Sequence, residues 1–257
     1  MVDVDQLTER LRYDGRADRL LAKGHLDWRG GSGAVRELLR APYIEYERAV
    51  TKAIKPGDRV LEIGAGTGLH TEVLCKTGAE VTCCDIAPSA LEVLRRRLGR
   101  SGFEVQCLEC PMQAVPVPSA WFDHVVCAGS MSYAPPRELD SEIIRVLRPG
   151  GSLACVDSLG HNPVYRLNRW AHWRIRGDRT RSTLGRIPTL ERMAALGGRF
   201  GSWSIRGFGA WAWACGPLAR VIGEHAAARV ADSLDRIPGS GRMGFKFVFA
   251  AHGLRVA

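Results

Sequence analysis

The run Val60-Leu-Glu-Ile-Gly-Ala-Gly-Thr-Gly-Leu69 constrains this chain more than any other stretch of it. Residues 60–63 are apolar and branched and read as a buried strand. Gly64, Gly66 and Gly68 then form a turn that opens a helix near Leu69. A turn of glycines lets backbone N–H groups approach a ligand with no Cβ in the way, at the end of a helix that favours polar or anionic groups. A second apolar run, Glu80-Val-Thr-Cys-Cys-Asp85, reads as the next strand of a βαβ unit, and its terminal carboxylate is placed to meet a ribose lying across the first turn. Together these features imply a nucleoside-containing ligand.

The spacing excludes two common kinds. A dinucleotide fingerprint needs a third glycine where this chain has Leu69, and no phosphate loop ending in Gly-Lys-Ser or Gly-Lys-Thr occurs. The pattern Glu62-x-Gly64-x-Gly66-x-Gly68 resembles instead the first motif of the class I S-adenosylmethionine (SAM)-dependent methyltransferases, and the resemblance continues in order. Asp85 falls where that family has its ribose-binding acid. Val115-Pro-Val-Pro-Ser-Ala-Trp-Phe-Asp-His-Val-Val126 looks like the approach to the fourth strand, and Arg145-Val-Leu-Arg-Pro-Gly-Gly151 like the turn before the fifth. The similarity covers residues 56–157 and is nearest to the small-molecule, type 11-like members.

The alternation of short apolar runs and helical stretches from Gly57 onward predicts an α/β fold. It is Rossmann-like and doubly wound, with a mostly parallel seven-stranded sheet, helices on both faces and a reversed edge strand. Strands are expected at 59–63, 80–85, 104–108, 124–128, 152–157, 203–207 and 244–252, the last being the reversed one. Helices are expected at 34–55, 69–77, 87–100, 137–147 and 218–234. Residues 1–50 form a helical segment, interrupted by the glycine cluster after Arg29, and are a candidate lid. Residues 51–257 form the domain proper, with an insert at 158–202. Between Arg166 and Arg186 that insert carries seven arginines against Asp178, and much of the formal net charge of +9 is concentrated there.

By resemblance, Glu62 and the backbone of Gly64, Ala65, Gly66 and Gly68 hold the amino-acid end of SAM, with help from Ala128 and Gly129. Asp85 and Ile86 hold the ribose. The adenine subsite departs from the family: the usual acid is replaced by Cys110-Pro111-Met112, so either Glu109 takes over or Met112 packs on the base. Tyr133 and His161, after the fourth and fifth strands, are the candidate catalytic residues, with Asp157 close enough to orient His161. Tyr43 and Tyr46 are candidates to line the opening.

The eight cysteines read as buried thiols, and no metal site is expected: Cys107 and Cys110 form the only Cys-x-x-Cys, with no second pair. The charged N-terminus lacks a signal-peptide apolar run, and the late apolar stretch at 210–219 is too short to span a bilayer, so a cytoplasmic protein is expected. The resemblance implies SAM as cofactor, S-adenosylhomocysteine (SAH) as product, and a small acceptor. That acceptor is expected to be a hydroxyl of a sugar, nucleotide-linked or specialised-metabolite substrate, anionic if the arginines contact it. Nucleic acid is not the expected partner, because the basic residues are local and no separate RNA-binding module is visible. An RNA or protein methyltransferase, or a SAM-fold protein without methyl transfer, are the alternatives.

Overall fold

The computed structural model describes residues 4–24, 30–176 and 181–255. Seven strands form one sheet in the order β3-β2-β1-β4-β5-β7-β6. The parallel part comprises β1 (Arg59–Ile63), β2 (Glu80–Asp85), β3 (Gln106–Glu109), β4 (Phe122–Ala128) and β5 (Leu147–Ser158). The one reversed strand, β7 (Lys246–Leu254), is antiparallel to both neighbours and lies inside β6 (Phe200–Phe208), so the edge strand itself runs with the central strands and the reversed strand is one place in from the edge.

Both faces of the central strands are covered, which is why these strands read as unbroken apolar runs. On one face α2 (Ala41–Ala53), α3 (Thr71–Cys75) and α4 (Pro88–Arg100) contribute Tyr46, Val50, Leu74, Leu91, Leu94 and Leu98 to the core. On the other, α5 (Pro136–Val146) and α8 (Leu190–Gly197) contribute Leu139, Ile143, Val146, Met193 and Leu196. The approach to β4 is pinned by charge: Glu142 accepts from the Val115 N–H at 2.7 Å, and Arg145 donates to the Val115 and Val117 carbonyls.

The N-terminal helix α1 (Val4–Ala22) lies against α4, with Ala17 packed on Ala87, Ala90 and Val93. The expected long helix before β1 is instead two single 3₁₀ turns followed by α2, because Pro42 sets the first helical turn. The expected helix at 218–234 is two helices, α9 (Ala212–Ile222) and α10 (Glu224–Leu234), divided at Gly223, whose φ of +84° no helix accepts. The insert supplies α6 (Pro163–Arg176), α7 (Arg181–Gly185) and α8; Arg179 lies outside the described residues.

At the end of the sheet remote from the glycine turn, His124 Nδ1 meets Ser152 Oγ at 2.6 Å and its Nε2 meets Asp58 Oδ2 at 2.9 Å. This Ser–His–Asp trio has the ring nitrogens exchanged relative to a hydrolase triad, and it ties the loop before β1 to β4 and β5. Burial pushes the Asp58 carboxyl up, but the Lys55 N–H, the His124 ring and Arg148 outweigh it and hold it below the ordinary range. Its stabilising effect is therefore present above the ordinary carboxyl pKa and lost as pH falls through the depressed one. Asp58→Asn should cost about 1 kcal/mol at pH 7, reduced from a buried value by solvent screening. Urea midpoints at pH 7 and pH 3 check this: the cost should be smaller at pH 3, and an equal cost at both would refute the linkage.

Candidate functional site

The glycine turn is held by the strand beside it. Gly64 and Ala65 donate their N–H groups to the Cys84 carbonyl at 2.8 and 3.1 Å, and the Gly66 N–H donates to Asp85 Oδ2 at 2.7 Å. The other carboxylate oxygen accepts from Ala87 at 2.9 Å, where α4 begins. Burial raises the Asp85 carboxyl above its ordinary range even though both N–H groups pull it down. Each oxygen keeps a second lone pair for a ligand hydroxyl.

Gly64, Gly66 and Gly68 all have positive φ. They serve different ends. A Cβ at Gly64 would run into Ser130, whose Oγ donates to the Ile63 carbonyl at 2.8 Å and closes the turn onto β4. A Cβ at Gly68 would meet Leu94 at 2.8 Å, so this glycine allows α4 to pack close. Around Gly66 and Gly129 there is open space, and this is the floor of a cleft.

The cleft is lined by Gly64, Ala65, Gly66, Asp85, Ile86, Met112, Ala128 and Gly129 of the expected cofactor set, and by Tyr133. Gly68 and Glu62 are not part of its wall. The Glu62 carboxyl is 2% exposed beneath the turn, where it accepts from Thr71 Oγ1 at 2.5 Å and lies 3.8 Å from Cys83 Sγ. Its side chain supports the loop from below rather than reaching a ligand. Glu109 does not line the cleft either: it pairs with Arg10 of α1 at 2.8 Å, leaving Pro111 and Met112 as the apolar wall. Tyr43 and Tyr46 do not line the cleft: Tyr43 stacks on His70, Tyr46 meets the same ring at a right angle, and Tyr46 is fully buried.

The sequence marks residues 1–50 as a candidate lid but does not single out the side chains that roof the cleft. Gln6, Glu9 and Tyr13 of α1 line the same cleft. Tyr13 Oη donates to Tyr133 Oη at 2.8 Å, and Arg12 Nη2 approaches the same oxygen at 3.3 Å while also pairing with Glu9. Burial drives the Tyr13 hydroxyl far above the normal tyrosine range, so it stays a donor. The one available signal was the spacing of Gln6, Glu9 and Tyr13 at helical intervals. With α1 in place the cavity is about 190 Å³, below the roughly 300–1,000 Å³ common for small-molecule sites.

His161 lies elsewhere. Its Nε2 accepts the Leu190 N–H at 2.9 Å at the start of α8, and it lines a separate cavity with Arg166, Arg169 and Trp170. Asp157 does not orient it: its two oxygens accept from Met131 and Ser158 at 2.8 and 2.6 Å and shape the turn after β4. All eight cysteines are free thiols, and among the described residues no group of three His, Cys, Asp or Glu is placed to bind a metal.

A seven-stranded sheet of this order, with a glycine turn after β1 and an acid ending β2, defines the class I SAM-dependent methyltransferase fold. The match to known proteins agrees with that fold: residues 60–151 fit a family described as a methyltransferase domain. A demethylmenaquinone methyltransferase of Thermus thermophilus is 38% identical over 114 residues, 43% of this chain and 52% of that protein. The chain spans 38–52% of the length of such curated relatives. Among solved structures, the [4+2]-cyclase SpnF superposes with a TM-score of 0.60 at 19% identity, covering 99% of this chain and 98% of that one. The geranyl diphosphate C-methyltransferase of Streptomyces coelicolor, solved with SAH, gives 0.55 at 19% identity over 83% and 79%. These structural likenesses establish the fold.

The buried Glu62 carboxyl gives this site a pH signature. Burial raises it to about 7 against the bonds from Thr71 and Cys83. Between the ordinary carboxyl range and pH 7 the folded chain keeps a proton that the unfolded chain releases, so this group lowers stability as pH rises. Glu62→Gln removes that loss. Urea unfolding at pH 5 and pH 8 should show the variant gaining about 3 kcal/mol on the parent across the interval; parallel behaviour would mean that the carboxyl is not held protonated.

Proposed function

We propose that the chain is a SAM-dependent methyltransferase acting on a small-molecule acceptor, with hydroxyl oxygen as the favoured target. The observation that carries this reading is the half-buried Asp85 carboxylate facing a cleft with a glycine floor. The residues present fit the cofactor: Asp85 retains acceptor capacity for ribose hydroxyls, Gly64 to Gly66 present backbone without Cβ atoms, and Ile86, Pro111 and Met112 offer an apolar wall to a base. Ala128 and Gly129 would help to hold the amino-acid end. When bound, SAM supplies an electrophilic methyl on a sulfonium, and its transfer needs no acid at the leaving group.

The protein's own contribution is orientation, which can account for about 7–11 kcal/mol of a barrier. Tyr133 Oη already receives Tyr13 and Arg12, so its own O–H is left to hold an acceptor oxygen in the cleft. This favours Tyr133 over His161, whose Nε2 is engaged by Leu190. Since the closed cleft is small, α1 acts as a lid that retreats to admit ligands and returns Gln6, Glu9 and Tyr13 to the wall. The relatives named demethylmenaquinone methyltransferase support a small-molecule acceptor. Free thiols throughout suit a reducing, cytoplasmic setting, and among the described residues no helix is long and apolar enough to cross a membrane. The likeness to SpnF, titled a cyclase, supports a second reading in which the same cleft serves chemistry other than methyl transfer.

Calorimetric titration with SAH distinguishes these. Binding is expected, and Asp85→Ala should weaken it at least about tenfold, from the loss of charge-assisted hydrogen bonds. Tyr133→Phe should leave SAH affinity near that of the parent but lower methyl transfer to hydroxyl acceptors about tenfold to a hundredfold. Binding without turnover on any acceptor would favour the second reading. Absence of binding would defeat both.

A further inference from the structure

Fifteen large apolar side chains are exposed among the described residues, and nine of them lie on three adjoining elements. These are α6 with Val164, Leu167 and Trp170, α9 and its first cap with Trp211, Trp213, Leu218, Val221 and Ile222, and the turn Ser240–Met243 with Met243. The elements share one seam. Asn162 Nδ2 donates to the Ala210 and Met243 carbonyls, Tyr165 Oη donates to the Gly209 carbonyl at 2.9 Å, and Trp211 Nε1 reaches Ser240 Oγ at 3.4 Å.

At helical spacing the outward side of α9 is Trp213, Ala214, Pro217, Leu218 and Val221, edged by Arg220. On α6, Val164, Leu167, Trp170 and Ala171 form a similar stripe, flanked by Arg166 and Arg174. Monomeric soluble proteins rarely leave such a contiguous apolar patch uncovered without a use for it.

The charge decides what covers it. Neither helix nor the turn contains an Asp or Glu, whereas Arg166, Arg174, Arg220 and Arg242 are all exposed. On α10, which packs on α9, Glu224 pairs with Arg36, and Asp235 just beyond it accepts from Gly209 and Ala210. Two copies of this face would bring like charges together, which disfavours self-association. Tryptophans with arginines and aliphatic side chains, and no acids, match what an anionic bilayer surface binds: rings and stems enter the headgroup boundary while guanidinium groups meet lipid phosphates.

We propose that α6, α9 and the turn Ser240–Met243 form a face that docks on anionic membrane surfaces, without any segment spanning the bilayer. The face is independent of the methyl-transfer reading. It also adjoins the second cavity, of about 720 Å³, which shares Arg166 and Trp170 with it, so a molecule at the bilayer surface would meet that opening.

The test is co-sedimentation of the full chain with vesicles of phosphatidylcholine alone or mixed with phosphatidylglycerol, together with tryptophan emission. Binding to the anionic vesicles is expected, with a blue shift and with weakening as salt rises. Leu167→Glu and Val221→Glu should each reduce it at least about tenfold. Arg174→Glu and Arg220→Glu should each reduce it about fivefold or more, since each cation near the surface contributes on the order of 1 kcal/mol. Leu167 and Val221 are 65% and 82% exposed, so the fold should survive, as an unchanged thermal midpoint would confirm. Failure to bind anionic vesicles would overturn the proposal, as would binding that ignores these substitutions. A dimer dispersed by Val221→Glu in a chain that ignores vesicles would assign the face to a second copy instead.

Discussion

The site depends on one carboxylate. Asp85 ends β2 and accepts the Gly66 N–H with one oxygen and the Ala87 N–H with the other, so a single side chain ties the loop after β1 to the start of α4. A glycine loop has high conformational entropy when free and would be a poor binding surface. Fastened to a half-buried anion, and closed from the other side by Ser130, it becomes a rigid floor. Burial raises the pKa of that anion, and the two N–H groups counter the shift. Ligand hydroxyls would add to the same side of the balance, so binding and ionisation of Asp85 reinforce one another.

Beneath the floor, Glu62 works in the opposite sense. The sequence offers two acids, Glu62 and Asp85, at the ends of adjacent strands, and by resemblance both face the cofactor. In the structure one is aimed at the cleft and the other is sealed under it, held by Thr71. Two ionised carboxylates at close quarters would repel, and keeping Glu62 in its protonated form near neutral pH relieves that. The inner acid thus supports the turn as a hydrogen-bonding group, and the outer one remains free to carry the charge.

What could be read in advance follows from how local the signal is. The central strands, the glycine turn and Asp85 are encoded within short windows of apolar runs and turn residues, and they lie where expected. Met112 and Glu109 were two readings left open; Met112 lines the cleft, while Glu109 pairs with Arg10, a contact between residues 99 positions apart. Residues 1–50 are legible as a candidate lid, but the side chains that roof the cleft are not, for the same reason: Gln6, Glu9 and Tyr13 acquire meaning only when α1 crosses the cleft. The break at Gly223 and the start of α2 at Pro42 were present as residues but were outweighed by apolar periodicity. His161 illustrates the reverse case, a local signal whose residue stands apart from the cleft. Its position after β5 suggested chemistry, yet a helix start nearby offered an unsatisfied N–H, and a ring nitrogen is a ready acceptor for it.

The two cavities stand on either side of α7. Thr183 of that short helix is buried and lies 3.4 Å from Glu9 on the cleft side, while Leu184 and Gly185 border the arginine-lined cavity. The roof helix and the basic insert therefore meet at one point. A retreat of α1 that opens the cleft must also break the contact between Glu9 and Thr183, and so loosens the partition between the two spaces. Bound cofactor that draws Gln6, Glu9 and Tyr13 back would restore it.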